Sequence, residues 1–178
     1  MSPTSSPVNP PQINSVAEFF AQALAIEAEA SERYALLADQ MEVHNNREIA
    51  AIFRKMAKIE SEHHDEIARR AGDTLVAGRP ANFTWLGPEG PEAIDLQDVH
   101  YLMTPYRALM LARFNEERAA KYFEAIASAA TNPEIAAFAA QMAEDERHHV
   151  VWVDKWLEQF KPDDADWAED PDPPIYSE

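Results

Sequence analysis

Two octapeptides lying half a chain apart share one pattern. Met56-Ala57-Lys58-Ile59-Glu60-Ser61-Glu62-His63 and Met142-Ala143-Glu144-Asp145-Glu146-Arg147-His148-His149 both read Met-Ala-x-x-Glu-x-x-His. Self-similarity at that separation makes the chain two copies of one structural unit. Within each copy the Glu and His are three residues apart, so on a helix they share a face and their side chains can reach the same point.

The flanking sequence supplies the helices. Ser15 followed by Glu18 forms a capping box that opens a helix over about residues 15–43. His44-Asn45-Asn46 makes a turn, with Asn45 or Asn46 as the cap of a second helix over 46–71, and Gly72 stands where a C-terminal cap belongs. Thr104-Pro105 and Asn132-Pro133 each pair a cap with a first-turn proline, predicting helices over about 104–130 and 133–160. Residues 73–98, rich in Gly, Pro and Asn, form a long connection with a short helix near 96–102, while 1–14 and the acidic, proline-rich 161–178 read as a disordered segment and a tail. The expected architecture is an all-α four-helix bundle occupying 15–160: two helical hairpins joined by one long crossover.

Alternating steps of three and four trace the stripe each helix turns to the core. The first gives Val16, Phe20, Ala23, Glu27, Ala30, Tyr34, Leu37, Met41; the second gives Phe53, Met56, Glu60, His63, Ile67. Leu109, Ala112, Glu116, Ala119, Phe123 and Ile126 follow in the third, and the fourth runs from Ala139 and Met142 through Glu146 and His149 to Val153, Trp156 and Phe160. Every stripe is apolar except at one mid-helix level, and in an up-and-down bundle those levels meet in a single layer. A buried carboxylate without a partner costs several kcal/mol, so four together require cations. Two divalent metals balance four Glu, and neutral imidazoles complete the set. Ala23, Ala30, Ala112 and Ala119, one turn from Glu27 and Glu116, leave room for metals and a small oxidant.

Composition narrows the alternatives. A net charge of −17 argues against nucleic acid, whose backbone calls for basic patches. The absence of cysteine excludes disulfides and thiolate metal sites. Residues 1–12 lack the basic lead and apolar core of a signal peptide, and no run of about 20 apolar residues could span a membrane. A cytoplasmic location is expected.

The pattern of one Glu on each of two helices and Glu-x-x-His on each of the other two resembles the ferritin-like superfamily, and within it the rubrerythrin-related proteins, over about residues 15–160. The resemblance implies a metal-ligand set of Glu27, Glu60, His63, Glu116, Glu146 and His149. Either Glu60 and Glu146 or Glu27 and Glu116 bridge. It implies two iron ions, manganese being a second option, since this oxygen-rich mixture suits either metal better than zinc. It also implies oxidation of ferrous iron by peroxide or dioxygen, an external electron donor, and a homodimer in which hairpins could be swapped. Two departures stand out. Rubrerythrins proper carry a four-cysteine rubredoxin domain, and these residues contain no cysteine. The family's extra carboxylate, three residues after the third-helix Glu, is here Ala119, and Glu117 points about 100° away. The rival readings are iron handling without turnover of a separate substrate, and a structural bundle with an inert metal.

Other residues carry weaker signals. His64 and His148 point to other faces and read as surface or inter-subunit residues; an Asp145-x-x-His148 register competes with Glu146-x-x-His149 but breaks the repeat. Tyr34 and Tyr122 read as packing residues with a capacity for hydrogen bonding, and Trp152 and Trp156 as bundle or dimer contacts.

Overall fold

The computed structural model describes residues 13–77 and 102–163. The expected short helix near 96–102, the N-terminal segment to residue 12 and the tail beyond 163 lie outside these residues, apart from Leu102 itself. Four helices are described: α1 (Val16–Val43), α2 (Arg47–Ala71), α3 (Pro105–Ala129) and α4 (Pro133–Leu157). A 3-10 turn, Gly72–Ala77, follows α2. Helices α1 and α2 pack as one hairpin and α3 and α4 as a second; the hairpins meet through α2 against α3 and α1 against α4. This is a four-helix bundle.

Local chemistry accounts for the helix ends. Ser15 Oγ accepts from the Glu18 amide, and the Glu18 carboxylate accepts from the Asn14 amide at 2.9 Å, so orphan donors at the start of α1 are satisfied. Thr104 and Asn132 cap α3 and α4 in the same manner, each followed by a first-turn proline. Asn45 adopts φ 58°, a left-handed conformation that Asn tolerates, and this closes the α1–α2 turn. Gly72 ends α2 with φ 47°, a backbone region costly to any residue with a Cβ.

Two ends differ from the sequence reading. Asn46 stands at the N-cap of α2 but makes no side-chain cap bond; its Nδ2 donates instead to the Met103 carbonyl at 2.9 Å, fastening the first hairpin to the chain that enters α3. Helix α4 ends at Leu157 rather than near Phe160, the chain continuing in a turn, and Asp163 folds back. Its carboxylate accepts from Thr104 Oγ1 at 2.5 Å and Arg107 Nε at 2.8 Å, so the expected tail begins anchored to the start of α3.

The apolar core falls into two blocks. One gathers Leu37, Met41, Ile49, Phe53, Met56 and Leu109; the other gathers Phe19, Phe20, Ile67, Phe123, Ile126 and Met142. Each large apolar side chain removed from water contributes ~1.5–3 kcal/mol. Between the blocks, along every helix, lies a level that is buried and charged.

Candidate metal centre

That level contains all six residues of the sequence-derived set. Glu27, Glu60 and Glu146 are 0% exposed, Glu116 1%, His149 6% and His63 8%. One helix contributes each of Glu27 (α1) and Glu116 (α3), while α2 and α4 each contribute a Glu and a His on one face.

The arrangement follows the repeat. His63 Nδ1 lies 3.2 Å from Glu27 Oε2 of its own hairpin, and His149 Nδ1 lies 3.1 Å from Glu116 Oε2 of its own. Across the hairpins, His63 Nδ1 is 3.3 Å from Glu146 Oε1 and His149 Nδ1 is 3.9 Å from Glu60 Oε1. Glu146 also places Oε2 3.2 Å from His149 Nδ1, so its two oxygens serve opposite halves of the layer. One ligand atom from each of Glu60, His63, Glu146 and His149 falls within 4.8 Å of the others.

His149 Nδ1 and Glu116 Oε2 are within hydrogen-bonding reach, but elsewhere in the layer close approach has not produced hydrogen bonding. Both carboxylate oxygens of Glu27 and Glu146, and both ring nitrogens of His63, are buried without a hydrogen-bond partner. Buried polar atoms are almost always satisfied. Atoms 3.2–3.3 Å apart that fail to bond one another, yet converge on a common space, suit a cation between them. Four carboxylates and two imidazoles form a hard, oxygen-rich donor set of the kind that could hold metal ions.

Electrostatics point the same way. Burial alone would lower the His63 and His149 pKa values, but neighbouring carboxylates overcome it. Glu27 and Glu146 raise His63 to about 9, and Glu116 and Glu146 raise His149 to about 11. Burial, then the Glu27 charge, push Glu146 up to about 8 against the pull of His149. Without metal the layer gathers protons, which supply positive charge among its carboxylates.

The surroundings give partners to residues that the sequence marked only for packing. Tyr34, 1% exposed, donates its hydroxyl to Glu116 Oε1 at 3.1 Å, a bond from α1 to α3 where packing was the expected role. Trp152 stacks on His149, with ring centroids 5.2 Å apart, instead of serving simply as a bundle contact. Its position three residues after His149 was the available signal. Tyr122 is buried and its hydroxyl accepts from Gln22 Nε2. Glu117 pairs with Arg113 at 2.7 Å, and Ala119 is buried, so the extra carboxylate of rubrerythrins has no counterpart at that position. Beside the two histidines opens a cavity of about 250 Å³ walled in part by Ile59 and Trp152.

A bundle of two helical hairpins that meet over a buried Glu/His layer defines a ferritin-like protein. The rubrerythrin family model matches residues 18–77 and 107–173, and the chain belongs to that family. It is also similar to an uncharacterised conserved protein from Magnetospirillum magnetotacticum MS-1, known from a crystal structure at 2.00 Å resolution. The two are 40% identical, with a TM-score of 0.67, over 85% of this chain and 99% of that one. Comparison with curated proteins gives no match.

Proposed function

We propose that this protein is a di-iron oxidoreductase of the rubrerythrin type, with Glu27, Glu60, His63, Glu116, Glu146 and His149 as ligands. The observation that carries the reading is the convergence of buried, unbonded ligand atoms from Glu27, His63 and Glu146. Glu146, reaching both histidines, would be suited to bridge the two metals, and the repeat would make Glu60 its counterpart. Two ferrous ions would supply the two electrons that reduce peroxide to water as both become ferric, and manganese is the second metal that suits the donor set.

The protein's own groups have three tasks. Tyr34 holds Glu116 in one orientation from outside the ligand layer, the support that metal-bound carboxylates ordinarily receive. Ala112 and Ala119, both fully buried, put small side chains one turn either side of Glu116, where a small oxidant would need room. The two apolar blocks keep bulk water from the layer, which strengthens every charge interaction within it.

The expected assembly is a cytoplasmic homodimer supplied with electrons by a separate donor; no helix among the described residues is long and apolar enough to cross a membrane. Alanine at position 119 favours a second reading, iron handling without turnover of a separate substrate. Mixing the anaerobic ferrous protein with peroxide separates them. Oxidation far faster than that of free iron supports the oxidoreductase. A rate equal to that of free iron, with retention of many more than two irons per chain, supports handling.

A further inference from the structure

The four carboxylates of the layer are 0–1% exposed, whereas His149 and His63 are 6% and 8% exposed, and both histidines line the 250 Å³ cavity. Any ion reaching the layer from this side meets the histidines first. The cavity's outer edge carries a second set of donors. Asp145 and His148 repeat the Glu-x-x-His spacing one residue earlier on α4, about 100° around the helix, and therefore face the cavity rather than the bundle axis. Glu62 and Glu66, one turn apart on α2, line it from the other side.

Asp145 links this rim to the layer. It is 29% exposed, yet its Oδ2 is buried without a hydrogen-bond partner and stands 3.8 Å from His63 Nε2. His63, 92% buried by the same measure, turns that unbonded nitrogen toward Asp145 and the cavity. Arg70 pairs with Glu66 and approaches Asp145 Oδ2 at 3.8 Å, so one cation already neutralises part of the rim and an arriving ion would compete with it.

On the reading that the layer holds two metals, we propose that this rim is the inlet for divalent cations, with Asp145 the carboxylate that passes an ion to His63. The rim atoms do not converge as those of Glu60, His63, Glu146 and His149 do. A loose set binds briefly and releases inward, as an inlet requires. Glu62 and Glu66 add attraction at the mouth, a contribution that salt screens.

The test is cobalt(II) uptake by the metal-free, full-length protein, followed in a stopped-flow by the visible absorption of the bound ion, with final occupancy measured on the same samples. The inlet predicts uptake slowed about tenfold in Asp145→Asn and several-fold in Glu62→Gln/Glu66→Gln, with final occupancy unchanged. Glu48→Gln, an exposed charge removed from the first turn of α2, controls for net charge and should change the rate less than about twofold. Full occupancy at wild-type rates in both rim variants overturns the inlet alone. Reduced occupancy of Asp145→Asn at a wild-type rate makes Asp145 a ligand and also overturns it. Wild-type protein that binds no cobalt overturns the di-metal reading, and the inlet with it.

Discussion

Tyr34 donates a hydrogen bond to Glu116 across 3.1 Å, joining α1 to α3 at the charged layer. Both residues are 1% exposed, so the bond is shielded from water and its acceptor belongs to the proposed ligand set. Replacing Tyr34 with Phe removes the donor and little volume. Loss of such support typically costs ten- to a hundredfold in metal affinity. For Tyr34→Phe the expectation is two metals still bound at saturation but an affinity about tenfold weaker, read by competition with a chelator. Unchanged affinity would reduce Tyr34 to the packing role first expected of it.

Glu146 separates stability from function. Its charged form is disfavoured by burial and by Glu27. Glu146→Gln keeps the shape and removes the charge, while Glu116 still faces His149. Metal-free Glu146→Gln should be as stable as the parent or more stable by about 1–2 kcal/mol near neutral pH, because Gln avoids the cost of protonating a carboxyl that burial and Glu27 keep neutral in the folded form. With metal, the variant should fall below the parent and hold fewer than two ions. Chemical denaturation of both forms provides the check; a variant stabilised by metal as fully as the parent would remove Glu146 from the ligand set.

The pH dependence of the metal-free protein follows from the same groups. His63 and His149 have folded pKa values of about 9 and about 11, above the ordinary 6.5, so their contribution is complete below 6.5 and is lost as pH rises through those values. Glu146, raised from 4.5 to about 8, acts in the same direction, because the folded form holds its proton where the unfolded form has released it. Stability without metal should therefore fall by more than about 1 kcal/mol between about pH 6 and pH 9. Metal binding displaces these protons, so the gain in Tm on loading should widen over the same interval. Melting curves of chelated and loaded protein at both pH values test this; a metal-free Tm that rises with pH would contradict it.

The fold was legible because the repeat, the caps and the stripes all describe local geometry. Phe53, Met56, Glu60, His63 and Ile67 occupy one helical face by spacing alone, and all five are buried. Placing the charged layer at one level needed only equal helix lengths. Contacts made between helices carry no such periodic mark. Nothing in the spacing directs Asn46 to Met103, Asp163 to Arg107, or Tyr34 to Glu116. The Asp145-x-x-His148 register was visible, but only the cavity gives it a location distinct from the layer.

The central claim is that the buried Glu/His layer holds two metal ions per chain. Elemental analysis of protein purified without chelators, repeated after anaerobic ferrous loading and removal of excess iron, tests it most directly. The account predicts about two irons per chain after loading, lost together when Glu60 and Glu146 are both replaced by Ala. A loaded parent protein that retains no more iron than that double variant would contradict it.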